Sequence, residues 1–142
     1  MSDNLRSALN ETYNSGGNRI IQTNAILIVD DDKDILEGYK FIFDCEGFQS
    51  HTACTPNEAM KIVRENTVNT VILDYMMPTI RGDELAEKLR EIDPSVKVII
   101  ISGHNNAVEV FRSKNIKIDG VLMKPVQPED LIRLIKTLSD NA

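Results

Sequence analysis

Four short apolar runs in this chain end on residues that can handle phosphate or a metal ion. AILIV runs into Asp30-Asp31-Asp32, TVIL into Asp74, KVIII into Ser102-Gly103, and GVLM into Lys124-Pro125. Three carboxylates brought within a few ångströms cannot all stay ionised without a counter-charge, because each raises the pKa of the others. A divalent cation resolves that conflict. Carboxylates, a carbonyl, waters and phosphate oxygens make the all-oxygen set that Mg2+ prefers, with Mn2+ as a substitute, and no Cys or His cluster here suits zinc. Lys124 adds a cation and Ser102 a hydroxyl able to bond a phosphoryl oxygen. An Asp carboxylate in that company is equipped to attack phosphorus and form an aspartyl phosphate.

The elements that must position these groups are legible as five βα repeats. The strands are AILIV (25–29), QSHTA (49–53), TVIL (70–73), KVIII (97–101) and GVLM (120–123), each followed by a segment with helical spacing. That alternation predicts a parallel sheet covered on both faces. QSHTA is half polar and fits an edge, whereas the first, third and fourth strands read as buried on both faces. In open α/β sheets ligands sit beyond the carboxyl ends of the strands, where strand order reverses. An order of 2-1-3-4-5 would make the first and third strands neighbours at that point and bring Asp30, Asp31 and Asp74 together.

Helix signals fall between the strands. Asp32 caps a helix with Ile35, Leu36, Tyr39, Ile42 and Phe43 as its apolar stripe, stopped by Gly47. Thr55-Pro56-Asn57-Glu58 is a capping box opening a helix to about Glu65. Further helices are expected over about Asp83 to Glu91, about Asn106 to Lys114, and from Pro128, the last with Leu131, Ile132, Leu134, Ile135 and Leu138 inward. Residues 1–24 lack a sustained hydrophobic period and carry Gly, Asn and Ser, so they read as a flexible tail before a domain over 25–142.

Composition narrows the function classes. The chain has 142 residues, 42% hydrophobic and 27% charged, with a formal net charge of −6. That acidity argues against direct DNA binding, which needs clustered Lys and Arg. The longest apolar runs are too short to span a bilayer and the polar N-terminus lacks a signal-peptide core, which places the protein in the cytoplasm. Cys45 and Cys54 lack metal-ligand spacing and read as two buried small hydrophobes.

Taken together, ILIVDDD, VILDYMMP followed by RGDEL, VIIISG and VLMKP stand in an order and spacing that resemble the receiver domain of two-component response regulators. The resemblance covers Ala25 to about Leu138 and implies a flavodoxin-like (βα)5 doubly wound parallel five-stranded sheet of order 2-1-3-4-5. It further implies that Asp74 is the phosphoacceptor, that Asp30, Asp31 and the Met76 backbone carbonyl join Asp74 in holding Mg2+, and that Ser102 and Lys124 contact the phosphoryl group. It implies a cis Lys124-Pro125 bond as well. The implied partners are a sensor histidine kinase or histidine phosphotransfer protein, and a downstream protein target meeting the fourth helix, fifth strand and fifth helix. Such a domain is a phosphoacceptor in a phosphorelay, not a turnover enzyme beyond self-phosphorylation and slow autodephosphorylation. As written the chain reads as a stand-alone receiver or as one trimmed from a longer regulator or hybrid kinase.

Blander and rival readings exist for each part. Alone, Asp30 to Asp32 would be a helix cap, Asp74 a turn cap, and Lys124 a solvated strand-end charge. A haloacid-dehalogenase-like phosphatase also uses a strand-end Asp, Mg2+, a hydroxyl and a Lys, but needs a second carboxylate two positions after the nucleophile. That position is Met76. A phosphorylation-independent docking module would not need the full acidic set. Val121 departs from the common family pattern, standing where many receivers carry an aromatic switch residue; His104 and Met76 flank the phosphoryl position, where they either tune its lifetime or, in the case of His104, leave only an exposed loop imidazole. His51 is read as non-functional.

Overall fold

Alternation of buried side chains explains the layering of this molecule. The computed structural model describes residues 11–13, 19–21, 24–103 and 106–140. Two short strands, β1 (Glu11–Tyr13) and β2 (Arg19–Ile21), pair antiparallel as a separate sheet within the segment read as a tail. Residues 1–10, 14–18 and 22–23 of that segment lie outside the described residues.

From residue 25 the order is β3 (Ala25–Val29), α1 (Lys33–Cys45), β4 (Gln49–Ala53), α2 (Pro56–Glu65), β5 (Thr70–Asp74), α3 (Gly82–Ile92), β6 (Lys97–Ser102), α4 (Ala107–Ser113), β7 (Gly120–Met123) and α5 (Pro128–Asp140). The five strands from β3 to β7 form one parallel sheet in the order β4-β3-β5-β6-β7. Counted among themselves they run 2-1-3-4-5, the doubly wound, flavodoxin-like order. Connections from β3 and β5 leave in opposite directions, so the crevice opens above the ends of those two strands.

Because side chains alternate along a strand, each central strand feeds two cores. Leu27, Val29, Val71, Leu73, Val98 and Ile100 face one way, onto Ala59 and Val63 of α2, Leu85 and Leu89 of α3 and Phe111 of α4. Ile26, Ile28, Ile72, Ile99 and Ile101 face the other, onto Leu36 and Phe43 of α1 and Leu131 and Ile135 of α5. Each fully buried aliphatic or aromatic side chain contributes roughly 1.5–3 kcal/mol, so these two layers hold the strand ends in place. β4 is an edge strand, as its mixed composition suggests.

The caps act as their residue types dictate. Asp32 accepts from the N–H groups of Asp34 and Ile35 at 3.0 and 3.3 Å, opening α1. Thr55 Oγ1 accepts from Glu58 N–H at 3.1 Å, while the Glu58 carboxylate reaches back to the N–H of Cys54 rather than to that of Thr55. Gly47, at φ 89°, turns the chain after α1 in the left-handed region that favours glycine.

Two expectations need correction. Cys45 is exposed and Cys54 half-buried rather than both being in the core. α1 faces the sheet with Leu36, Tyr39 and Phe43, and Cys45, two residues beyond Phe43, points away from that stripe. Ile35 is 42% exposed for the same reason, one position off Leu36 around the helix.

Candidate functional site

Above the crevice between β3 and β5, one carboxylate oxygen each from Asp30, Asp31 and Asp74 lies within 4.8 Å of the others. Register explains the convergence. β3 and β5 pair in parallel with Val29 opposite Leu73, so the residues that follow, Asp30 and Asp74, emerge side by side. Both are buried, whereas Asp31, one residue further and on the other side of the chain, is exposed.

Asp30 is held in place from two sides. Its N–H donates to the Ala53 carbonyl at 3.2 Å, and its Oδ1 accepts from the Asp32 N–H at 2.9 Å. Burial pushes its carboxyl above the usual range, opposed by that N–H; the Asp74 charge adds to the rise, Lys124 opposes it, and Asp31 adds a little more. Such a set of acids is short of positive charge. Lys124 Nζ supplies one cation, 3.2 Å from Asp74 Oδ1. A hard divalent ion with oxygen ligands fits the remainder: the donors are carboxylates alone, on an open side marked by exposed Asp31.

Ser102 ends β6 and is fully buried, one residue beyond Ile101, the β6 partner of Asp74. Its carbonyl accepts from the Lys124 N–H at 2.9 Å, which joins the ends of β6 and β7 and sets Lys124 beside the acids. The Lys124-Pro125 peptide is cis. Met76, two residues after Asp74, is 53% exposed and bridges to Arg81 across the loop between β5 and α3. His104 lies outside the described residues, as does Asn105. His51 sits half-buried on edge strand β4, away from this cluster, and burial followed by the Lys40 charge lowers its pKa.

Tyr39 was not among the expected site residues. It stacks on Phe43 with ring centroids 5.9 Å apart, and burial raises its hydroxyl pKa, with the Asp30 charge adding to the rise. Its place four residues before Phe43 marked it only as part of an apolar stripe; no sequence signal separated it from the core.

Comparisons with known proteins agree on one family. Residues 26–136 match the family described as response regulator receiver domain. The transcriptional regulatory protein SrrA of Staphylococcus aureus is 33% identical over 118 residues, covering 82% of this chain and 48% of SrrA. Response regulator SaeR of Staphylococcus epidermidis is 28% identical over 107 residues, covering 75% of this chain and 46% of SaeR. The chain thus spans about half the length of these curated relatives. A CheY-like receiver domain protein from Methanospirillum hungatei superposes with a TM-score of 0.77 at 34% identity, over 84% of this chain and 96% of that one. A receiver domain protein from Clostridium thermocellum gives 0.75 at 29% identity, over 83% and 95%.

Proposed function

The chain belongs to the response regulator receiver family, and from that membership we propose that it accepts a phosphoryl group on the Asp74 carboxylate from a sensor histidine kinase or a phosphotransfer protein. The observation that carries this reading is the convergence of Asp30, Asp31 and Asp74 with Lys124 at salt-bridge distance from Asp74.

In the reaction an Asp74 carboxylate oxygen attacks phosphorus, the bond from phosphorus to the donor nitrogen breaks, and the donor imidazole leaves. Asp30, Asp31, Asp74 and the Met76 carbonyl would hold Mg2+, which when bound supplies charge neutralisation for the phosphoryl oxygens. Lys124 offers its ammonium to a phosphoryl oxygen, at the position from which it now pairs with Asp74. Ser102 is assigned the hydroxyl that bonds another. The Met76 side chain has no ionisable group, so nothing at that position protonates a poor leaving group or activates water. A site built this way takes phosphate from activated donors and releases it slowly, which suits a stored signal and disfavours a haloacid-dehalogenase-like phosphatase.

The output is assigned to a protein partner meeting α4, β7 and α5, where Val121 and Met123 are 36% and 45% exposed. Residues 25–142 are taken as the receiver unit, with 1–24 as a separate segment. No helix among the described residues is long and apolar enough to cross a membrane.

Incubation with a small acyl phosphate and Mg2+, with and without chelator, tests the reading by intact mass. One Mg2+-dependent phosphoryl adduct, lost in Asp74→Asn, is the expected result. No adduct on folded protein would leave a phosphorylation-independent docking module, and rapid multiple turnover would favour the phosphatase.

A further inference from the structure

The loop that follows Asp74 is closed on itself and gripped at both ends by α4. Gly82 N–H donates to the Tyr75 carbonyl at 2.8 Å, and Met76 bridges antiparallel to Arg81 inside that closure. A Cβ on Gly82 would come 3.0 Å from the Tyr75 Cα, so the two strands of the loop are in close contact. Its ends, Tyr75 and Asp83, are both buried. The Tyr75 ring lies tilted against Phe111 of α4, centroids 6.3 Å apart. Lys114 Nζ, at the C-cap of α4, donates to Asp83 Oδ2 at 2.6 Å. Phe111 and Lys114 are three residues apart, so one face of the helix end carries both grips.

Asp83 is an expensive residue to bury for packing alone. A carboxylate withdrawn from water needs a paired cation and satisfied oxygens, and an apolar side chain of similar size is often as stable. Here Asp83 is wholly buried while Lys114 keeps 41% of its side chain exposed. Arg81 Nε lies 3.3 Å from the other oxygen, Oδ1, within ion-pair range, yet that oxygen has no hydrogen bond among the described residues. Lys114 is therefore the directional partner and Arg81 a neutralising one. α4 has 7 residues, too few to persist without tertiary contacts, so these grips, with the packing of Ala107 and Phe111 on the sheet, set where it sits.

We infer that Asp83 is a positioning residue that ties the loop after Asp74 to α4 through Lys114. Its consequence for signalling rests on the receiver reading above: Met76, assigned to the metal, sits inside the tied loop, and α4 belongs to the face assigned to the partner. A partner that shifts α4 shifts Lys114 and with it the loop, and an ordered loop in turn holds α4 in its seat. Coupling of this kind is reciprocal. It runs through the β5 to α3 loop, not through β7, where Val121 offers no ring.

Amide hydrogen exchange on the intact protein, with Mg2+ affinity measured by titration of the metal alone, tests the tie in wild type, Lys114→Ala and Lys114→Arg. Lys114→Ala is expected to speed Gly82 exchange at least about fivefold, to weaken Mg2+ binding, and to leave β3 and α2 amides as in wild type; Lys114→Arg restores both readouts. Unchanged Gly82 exchange overturns the inference. So does a rise matched across β3 and α2, which would be global loss of stability, or faster Gly82 exchange at unaltered Mg2+ affinity, which would make the contact structural only. Failure of wild type to take a phosphoryl group would defeat the proposed function, while Gly82 exchange would still decide the tie.

Discussion

Lys124 and Asp74 stand at the ends of strands that are not neighbours, with β6 between them, yet Lys124 Nζ reaches Asp74 Oδ1 at 3.2 Å. The reach depends on the Ser102 carbonyl, which fixes the Lys124 N–H at the end of β6. In a pocket of three carboxylates that ammonium is the one side-chain cation within salt-bridge distance of Asp74 among the described residues. Lys124→Met is therefore expected to slow adduct formation from acyl phosphate on the order of 100-fold. Intact-mass time courses at saturating Mg2+ check this, with far-UV dichroism to show that the fold is kept. An unchanged rate would remove Lys124 from the site.

Asp30 predicts an exchange of stability for binding. Burial raises its carboxyl pKa, so its folded value lies above the unfolded 3.8. The folded state then holds the proton more tightly, and ionisation of Asp30 destabilises metal-free protein increasingly as pH rises from the unfolded value through the folded one. Asp30→Asn should accordingly raise the metal-free Tm at neutral pH and weaken Mg2+ binding by at least about tenfold. Thermal melts with and without Mg2+ separate the two effects, since bound ion stabilises only protein that binds it. A lower metal-free Tm in the variant would contradict this account.

Much of this site was legible because strand-end chemistry follows from alternation of elements. Once AILIV, TVIL, KVIII and GVLM were recognised as strands of one parallel sheet, Asp30, Asp74, Ser102 and Lys124 had to lie at the same, carboxyl end of that sheet. Boundaries were also close, since Asp32, Thr55 and Gly47 cap or stop helices by local hydrogen bonds and backbone geometry. What sequence did not show was long-range. Asp83 looked like an ordinary acidic residue in a first helical turn, and only the approach of Lys114, 31 residues away, makes it a buried ion pair. Cys45 differs in kind: its apolar side chain suggested burial, but local helix phase, two residues past Phe43, turns it outward.

Asp32 illustrates how three adjacent acids divide their labour. Its carboxylate accepts from the N–H groups of Asp34 and Ile35, and it is not part of the three-acid cluster. Asp32→Ala is expected to destabilise the protein by about 1 kcal/mol with Mg2+ affinity unchanged. Denaturant midpoints and metal titration read the two quantities independently. Lost Mg2+ binding in the folded variant would place Asp32 among the ligands instead.

Asp83 gives the opposite pH behaviour from Asp30. Burial pushes its carboxyl up, but the Lys114 hydrogen bond and charge, with Arg81, outweigh burial and hold it below its ordinary 3.8. Its ionised form thus contributes stability that is complete above the unfolded value and is lost as pH falls through the folded one. Lys114→Ala leaves burial less opposed. The variant should therefore show its largest Tm deficit near neutrality, shrinking as pH falls below 3.8 and Asp83 takes a proton. A deficit independent of pH would mean that Lys114 stabilises the protein by something other than its charge.

Gly120 places a steric limit on the edge of the proposed partner face. A Cβ built there would meet Leu134 Cδ2 at 2.7 Å, closer than real contacts allow, although the obstacle is the end of a flexible side chain on α5. Two effects compete in Gly120→Ala. Replacing a glycine at the start of a strand lowers the entropy lost on folding, by less than the roughly 1 kcal/mol of a strand interior, while overpacking costs typically about 1–3 kcal/mol. Because Leu134 is only partly buried and packs against the core formed by α1 and α5, it can turn aside, but at the expense of that packing. The net expectation is destabilisation of about 1 kcal/mol, with Leu134→Ala absorbing most of it in the double variant. A double-mutant cycle in urea measures the coupling directly. Additive effects would show that α5 shifts as a unit, and that Leu134 is not the element that sets how closely α5 approaches β7.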